Sequence, residues 1–279
     1  MPNDNFNRYC EELLAKYVRR NQQVVTRHLE SLCTIIRSAG HVVQTMYGGS
    51  VQRGTYVTGL SDVDVLLIVN QSSLLNQSPA VVIQQVRRTI KERLPNNSVR
   101  AGNLAVTVSY ASGIEIQVLP AIRTTSGGVR IAEPGSAGWS NVVHPENFAR
   151  RLAEVNDANN GRVVQVIKLA KAMANCHVSR PSRKFSGYHL ESLAINAFRN
   201  YQGSQDPKAM LKHFLTHSAT AVKSPIADTT GQSGYVDEYL GPANSRLRNR
   251  ASTYFSQMRA NVNSCTTRAK FNALFCEGD

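Results

Sequence analysis

Two neighbouring stretches decide the fold of this chain: Gly49-Ser50-Val51-Gln52-Arg53-Gly54-Thr55 and Ser61-Asp62-Val63-Asp64-Val65-Leu66-Leu67-Ile68-Val69. Residues 63–69 form a nearly continuous apolar run rich in β-branched side chains, which predicts a buried strand. The Gly48-Gly49-Ser50 segment before it predicts a tight turn whose backbone N–H groups and serine hydroxyl can approach phosphate oxygens closely. The sequence therefore predicts a phosphate-binding turn next to a buried strand.

Asp62 and Asp64 stand at the mouth of this strand. Being two residues apart, their side chains leave the same face, about 6 to 7 Å apart along the backbone. Paired carboxylates of this kind hold Mg²⁺ or Mn²⁺ and leave positions for triphosphate oxygens. An acidic pair is weak by itself in a chain with 19 acidic residues. The order of turn, spacer with Gly54-Thr55, and carboxylate pair makes both aspartates candidate metal ligands and catalytic residues.

The first half of the chain mixes helices and strands. Apolar residues recur at helical spacing over 5–39, as one long helix or two short ones, and over 79–94. Strand-like patterns occupy 41–47, 103–110 and 113–122, and the last two are predicted to form a hairpin.

After residue 147 the pattern is helical. The predicted helices cover 148–156, 161–174, 187–200, 207–217 and 244–265. The chain is therefore predicted to be α+β, with a β-bearing lobe over 1–145, including the N-terminal helix, and a helical lobe over 146–279.

The amino-acid composition indicates which classes of ligand the protein is expected to bind. A net charge of +13 and a pI near 9.8 favour phosphate-bearing ligands, nucleotides or nucleic acid, and basic clusters include Arg246, Arg248 and Arg250. No apolar run approaches the roughly 20 residues of a membrane helix, and the N-terminus resembles no signal peptide, so a cytoplasmic protein without membrane contact is expected. Five scattered cysteines without zinc-type spacing are expected to be reduced thiols. The oligomeric state is not indicated.

The turn, spacer and Asp-x-Asp order resembles the DNA polymerase β-like nucleotidyltransferase superfamily. More narrowly, the chain resembles the branch of oligoadenylate synthetases, cyclic GMP-AMP synthase and the bacterial CD-NTases, which make nucleotide second messengers in antiphage defence. Further segments carry the resemblance: 118–121, Trp139, 144–145, 166–171, 186–191 and 226–248. The resemblance implies a mixed-sheet catalytic core with a C-terminal helical domain that closes the nucleotide cleft.

The resemblance also implies roles for individual residues. Gly49, Ser50 and Gln52 would bind the triphosphate, and Asp62 and Asp64 would hold Mg²⁺ or Mn²⁺.

From the helical lobe, a lysine would reach the phosphates, which falls on Lys171, with Lys168 one turn away. The alternative is that Lys171 is a solvated lysine on a helix face. Ser186 and Tyr188 match nucleotide-contacting positions, although Tyr188 is equally compatible with packing at a helix start.

One position departs from the family pattern. A third carboxylate normally stands two residues before Leu119-Pro120-Ala121, where this chain has Gln117. Gln117 is a candidate nucleotide contact, because an amide can hold a water or a ligand, but it cannot act as a general base. Glu115 lies on the same strand face. Three interpretations stay open: Glu115 substitutes as a catalytic residue, two aspartates suffice, or the enzyme is impaired.

Three functions follow. The first is a synthase that joins nucleoside triphosphates into a cyclic or linear oligonucleotide signal. The second is a terminal nucleotidyltransferase acting on tRNA or another RNA, which the basic charge suits; a nucleic acid would then be acceptor or activator. The third is a catalytically impaired nucleotide or nucleic-acid sensor, for which Gln117 is the main support.

Overall fold

The computed structural model describes residues 2–19, 22–39, 44–57, 63–69, 74–133, 138–177, 185–228 and 234–277. The chain divides into two compact units. Of the described residues, those between 22 and 149 form the sheet unit. The helical unit comprises 2–19, which form helix α1 (Pro2–Arg19), and the described residues from 150 to 277. Asp62 lies outside the described residues.

A mixed sheet forms the centre of the sheet unit. In chain order its elements are α2 (Gln22–Ser38), β1 (Gln44–Tyr47), α3 (Gly49–Gln52), β2 (Val63–Ile68), α4 (Pro79–Arg93), β3 (Ser98–Ala101), β4 (Val106–Ser109), β5 (Glu115–Arg123) and β6 (Val129–Ile131). The strand order is β1-β2-β5-β4-β3, and β6 pairs with β5. Strands β2 and β5 are parallel, whereas the other pairings are antiparallel. The predicted α+β mixed-sheet class is confirmed.

The two faces of β2 have different surroundings. Val63, Val65 and Leu67 are buried in one core with apolar residues of α2 and α4. Asp64 points to the opposite face, because side chains alternate along a strand. Farther along that face, Leu66 and Ile68 belong to a second, smaller cluster, with Ala121, Val129, Ile131 and Val143. The face opposite the helices is thus apolar at the far end and polar at Asp64.

Helices make up the rest of the described fold. Helix α5 (Pro145–Ala158) runs from the sheet unit into the helical unit, which continues with α6 (Arg162–His177), α7 (Gly187–Phe198), α8 (Pro207–Ala221), α9 (Arg246–Ser264) and α10 (Arg268–Phe275). Four of their starts are fixed by side chains that accept a backbone N–H three residues on: Ser186, Asp206, Ser245 and Thr267. Within the described ranges, every helix is too short or too polar to cross a bilayer.

Helix α1 packs with the helical unit, although the sequence grouped it with the sheet lobe. Phe6 of α1 meets Phe271 of α10 edge-on, with ring centroids 5.4 Å apart. Glu12 forms an ion pair with Arg268, and the α1 residues Cys10 and Leu13 are buried. An amphipathic pattern fixes which face of a helix is buried but not which partner covers it, and this explains the difference.

The expectation of five reduced thiols is wrong for one pair. Cys176 at the end of α6 and Cys276 just after α10 form a disulfide, with Cα atoms 5.5 Å apart. Cys10, Cys33 and Cys265 are free and buried. The bonded cysteines are 100 residues apart in sequence, so no local spacing could reveal the pairing.

Reduction of this disulfide should destabilise the protein. A cross-link that closes a loop of about 100 residues limits the unfolded chain, and its loss typically lowers the free energy of unfolding by about 2 to 5 kcal/mol. Urea unfolding with and without reductant measures the effect. The Cys176→Ser/Cys276→Ser double variant is the control, since it should show the lower stability and no response to reductant. An unchanged wild-type midpoint in reductant would contradict the prediction.

Candidate active site

The glycine turn after β1 lies directly against Asp64. The Gly48 N–H donates to the Asp64 carbonyl oxygen at 2.9 Å, which ties the turn to β2. Gly49 has φ +55°, a conformation that side chains disfavour. A Cβ added to Gly49 would overlap the Asp64 carboxylate and stand 2.9 Å from its Cγ. Glycine is therefore required here twice, by the backbone conformation and by the close approach of the carboxylate.

Backbone hydrogen bonds close the rest of the turn. Thr55 N–H donates to the Ser50 carbonyl at 2.9 Å, and Gly54, with φ +67°, donates to Val51 at 3.2 Å. Ser50 and Thr55 are buried, whereas Gln52 is exposed. The turn is thus rigid at Ser50 and accessible at Gln52, so a phosphate ligand would meet a preformed backbone.

A row of residues crosses the polar face of the sheet from Asp64. Asp64 is paired with Gln117 of β5, Gln117 with Thr107 of β4, and Thr107 with Arg100 of β3. Adjacent strands lie about 4.8 Å apart, so Gln117 is the immediate neighbour of Asp64. Both side chains are half-buried. Gln117 consequently occupies the place beside Asp64 where the resemblance puts the third carboxylate.

Glu115 binds residues of β4 and β3, away from β2. Its Oε1 accepts a hydrogen bond from the Ser109 hydroxyl at 2.6 Å and forms an ion pair with Arg100 at 3.0 Å. These partners belong to β4 and β3, and β2 is the neighbour on the opposite edge of β5. The charge of Glu115 is therefore balanced without a metal ion, which favours the interpretation in which two aspartates suffice.

The residues present fit a hard divalent cation. Asp64 offers carboxylate oxygens beside a turn that can take phosphate oxygens, and Mg²⁺ and Mn²⁺ prefer such donors. Asp62, the second predicted ligand, is outside the described ranges. Among the residues that are described, no group of three metal-ligating side chains is found.

The two candidate lysines on α6 differ. Lys171 is buried, and its ammonium forms an ion pair with the buried Glu191 at 2.9 Å. The alternative that Lys171 is a solvated surface lysine is wrong. Lys168 is half-buried, and burial together with Lys171 lowers its pKa. Lys168 has no hydrogen-bond or ion-pair partner among the described residues.

Ser186 and Tyr188 are both held by hydrogen bonds. The Ser186 hydroxyl accepts from the His189 N–H at 3.0 Å and caps α7. The Tyr188 hydroxyl donates to Asp228 Oδ1 at 2.7 Å. Each side chain thus has a fixed orientation, which binding and packing roles would both require.

Sequence analysis did not predict that Arg248, in the helical unit, is buried. Arg248 was grouped with Arg246 and Arg250 as a basic cluster, but it is fully buried. Its helical spacing to the buried residues Ala251 and Phe255 was the signal that could have placed it on the inner face of α9.

Residues 2–156 match the family model described as Second Messenger Oligonucleotide or Dinucleotide Synthetase domain. The match covers more than half of the chain. The chain belongs to this family. It is a nucleotidyltransferase of the CD-NTase branch, as the resemblance implied.

Solved CD-NTase structures share the fold of almost the whole chain. CdnG of Bradyrhizobium diazoefficiens in complex with GTP has a TM-score of 0.71 at 13% identity, covering 90% of this chain and 89% of CdnG. CdnC of Escherichia coli with ATP gives 0.63 at 16% identity, covering 91% and 90%. Vibrio cholerae DncV, a cyclic AMP-GMP synthase in complex with a linear intermediate, gives 0.66 at 13% identity, covering 83% and 68%. No curated protein sequence matches the chain significantly.

Proposed function

We propose that this member of the family joins nucleoside triphosphates into a cyclic or linear oligonucleotide, with Asp62 and Asp64 holding Mg²⁺ or Mn²⁺. The observation that carries the proposal is the contact between the Gly49 turn and the Asp64 carboxylate, which excludes any side chain at position 49. A triphosphate bound by the turn would lie next to the carboxylate. That adjacency is what metal-assisted phosphoryl transfer needs.

In this proposal the glycine turn binds the triphosphate, and Gln117 of the sheet orients the acceptor hydroxyl. Backbone N–H groups at Gly49 and Ser50 bind triphosphate oxygens, with Gln52 at the accessible rim. The bound metal would neutralise charge that develops as the acceptor hydroxyl oxygen bonds to the α-phosphorus and pyrophosphate leaves. Gln117 can orient the acceptor hydroxyl through its amide, but an amide does not take up a proton, so the hydroxyl proton would pass to solvent water as the oxygen bonds to phosphorus.

Contacts from the helical unit complete the proposal. Lys168 is the proposed phosphate ligand, since the ammonium of Lys171 is bound to Glu191. Ser186 and Tyr188 are proposed to contact the nucleotide, because they match nucleotide-contacting positions of the family. The Ser186 hydroxyl accepts from the His189 N–H and can still donate, and the Tyr188 hydroxyl donates to Asp228 and can still accept.

The proposed role is antiphage signalling in the cytoplasm, where nucleoside triphosphates are available. Family membership supports the signalling chemistry. The net charge of +13 keeps a nucleic-acid activator or an RNA acceptor as a second candidate partner, and RNA-dependent turnover would favour the terminal transferase. Nucleotide binding without turnover would favour a sensor.

Pyrophosphate release tests the proposal. Purified protein is incubated with all four ribonucleotides and Mg²⁺ or Mn²⁺, with and without RNA, beside the Asp62→Ala/Asp64→Ala variant. Asp157→Asn is the matched control, because Asp157 is exposed on α5. We expect release from the wild type and the control, loss in the double variant, and loss on chelation. Equal release from the double variant would overturn the proposal.

Glu115→Gln should leave turnover within about threefold of the wild type. Glutamine keeps an oxygen that can accept from Ser109 and Arg100, so only the charge is lost. A metal ligand would behave differently, because its removal should lower turnover by about a thousandfold, more than the 10–100-fold typical of outer partners. Steady-state turnover of Glu115→Gln is compared with that of Asp64→Asn. If both variants lose turnover equally, Glu115 acts as the third carboxylate.

A further inference from the structure

The hydroxyl of Tyr188, on α7, is held by a carboxylate from another segment of the helical unit. It donates to Asp228 Oδ1 at 2.7 Å. Both side chains are half-buried. An ionised carboxylate only accepts hydrogen bonds, so the single phenolic proton of Tyr188 points to Asp228. The contact therefore fixes the direction of the hydroxyl as well as its position.

Asp228 is itself held by the backbone of the segment between α8 and α9. Residues 226–228 pair antiparallel with residues 234–236. Within this pairing the Asp228 N–H donates to the Gly234 carbonyl at 3.1 Å. The acceptor of the Tyr188 proton thus stands on paired backbone, whose position is set before any ligand binds.

Two fully buried charged side chains, Asp237 and Arg248, anchor the same segment. Asp237 Oδ1 accepts from the Ile226 N–H at 3.0 Å, two residues before Asp228, and Asp237 Oδ2 accepts from the Arg248 guanidinium at 2.6 Å. Arg248 also donates to three backbone carbonyl oxygens at 3.1, 3.0 and 2.8 Å, those of Val222, Ser224 and Gly241. A buried ion pair is weak evidence for stability by itself. Its contacts with the backbone show that this pair fixes the chain beside Asp228 and at both ends of the segment.

The direction of the Tyr188 hydroxyl limits what it can recognise. Its one proton is used at Asp228, whereas a phenol oxygen also has lone pairs with which it can accept. Toward a nucleotide, Tyr188 can therefore act only as an acceptor. Phosphate oxygens are acceptors too, so they do not suit it. The donors of a nucleotide are on the nucleoside, as exocyclic amines of the bases and hydroxyls of the ribose.

We propose that Asp228 is a positioning residue through which Tyr188 selects nucleotides by a hydrogen-bond donor on the nucleoside, an exocyclic amine or a ribose hydroxyl. The inference rests on the proposed function, in which Tyr188 contacts the bound nucleotide. A site arranged to form a hydrogen bond discriminates against an analogue that lacks the partner group, because the site's own polar group then loses its partner. Asp228 acts through Tyr188 and need not touch the ligand.

Equilibrium binding of non-hydrolysable analogues of ATP, GTP, CTP and UTP tests the inference. The analogue that binds the wild type best is compared with forms of it that lack one donor: the exocyclic amine, where the base has one, the 2′-hydroxyl or the 3′-hydroxyl. We expect one of these deletions to raise Kd about tenfold, the equivalent of one well-placed hydrogen bond. An effect of the amine identifies the base as the donor, and an effect of a hydroxyl identifies the ribose. If no deletion raises Kd by more than about twofold, the inference is overturned.

Two variants assign the effect to Tyr188 and Asp228. In Tyr188→Phe the same deletion should change Kd by less than about twofold, since the acceptor is gone. In Asp228→Ala the hydroxyl can turn and donate, so the effect of the deletion should fall to about threefold or less. Tyr201→Phe is the matched control and should keep the tenfold effect, because Tyr201 is also half-buried and its hydroxyl donates to the Ser204 carbonyl at 2.6 Å. A tenfold effect retained in Tyr188→Phe or in Asp228→Ala would overturn the inference.

A purely structural contact would give a different result. If the hydrogen bond only fastened residues 226–228 to α7, its loss in Tyr188→Phe and Asp228→Ala would lower the unfolding midpoint and weaken binding of the intact and the deleted nucleotide alike. The ratio of the two Kd values would then stay near tenfold. This ratio, rather than either Kd alone, therefore distinguishes selection of the nucleotide from support of the fold.

Binding and turnover together separate the two possible failures. If the wild type binds the analogues but does not turn over nucleoside triphosphates, the proposed synthase fails, and the ratio of Kd values still decides the inference. If the wild type turns over and the deletions leave Kd unchanged, the inference alone is overturned. Absence of binding in the wild type overturns both.

Discussion

Asp64→Asn should lower the rate of nucleotide joining by about a thousandfold or more. Loss of a residue that only hydrogen-bonds to a metal ligand typically lowers activity by about 10–100-fold, and loss of a residue that binds the metal directly should cost more. Asparagine has nearly the same shape, so the hydrogen bond from the Gly48 N–H to the backbone oxygen at position 64 is kept. The lost negative charge can no longer neutralise the metal. Steady-state pyrophosphate release measures the rate, and circular dichroism checks the fold.

Asp157→Asn is the control for this change. It makes the same substitution at an exposed aspartate on α5, so its rate should equal that of the wild type. An Asp64→Asn variant that keeps more than about a tenth of the wild-type rate would contradict the role of Asp64, because loss of a residue that binds the metal directly should cost more than loss of a residue that only supports such a ligand.

Gly49→Ala should also inactivate the enzyme. Alanine at φ +55° is disfavoured by about 1 to 2 kcal/mol, and its Cβ would overlap the Asp64 carboxylate. The carboxylate or the turn must therefore move, and a displacement of about 1 Å can lower a rate by about a hundredfold. We expect at least that loss in turnover, together with weaker binding of the triphosphate.

Gly54→Ala separates the two causes. Gly54 has φ +67°, so alanine meets the same backbone strain, but nothing lies within 4 Å of an added Cβ. Its free energy of unfolding should fall by about 1 to 2 kcal/mol, with turnover within about threefold of the wild type. If Gly49→Ala and Gly54→Ala had equal turnover, the close approach to Asp64 would have no catalytic meaning.

The long elements of the fold could be predicted, since their patterns are local. Strand β2 and helix α4 follow from an apolar run and from helical spacing ended by a proline. Strands β3 and β6 and helix α10 were missed. They have 4, 3 and 8 residues, too few for a periodic pattern, and tertiary contacts decide their conformation.

The site was predictable where its parts are close in sequence. The order of Gly49 and Asp64 indicated the turn beside the carboxylate, and the structure supplied the reason for glycine. The ion pairs of Glu115 with Arg100 and of Lys171 with Glu191 were not predictable, because each joins residues 15 or 20 positions apart. Such pairs depend on the register of strands and the packing of helices, which a single sequence does not specify.

The role of Gln117 becomes clearer when the sequence pattern is combined with the strand register. The sequence could place it at the position of the third carboxylate but could not say whether Glu115 substitutes. The strand register places Gln117 beside Asp64 of β2, whereas Glu115 contacts β4, on the opposite edge of β5. These contacts favour the interpretation in which two aspartates suffice, and the proposed pair is Asp62 and Asp64.

The reaction products show directly whether the protein joins nucleotides. Wild-type protein and the Asp62→Ala/Asp64→Ala variant are incubated with the four ribonucleotides and Mg²⁺ or Mn²⁺, and the products are resolved by mass spectrometry. We expect species joined by phosphodiester bonds, cyclic or linear, from the wild type alone. Their absence from the wild type while a non-hydrolysable nucleoside triphosphate still binds, or their presence in equal amount in the double variant, would contradict the proposed function.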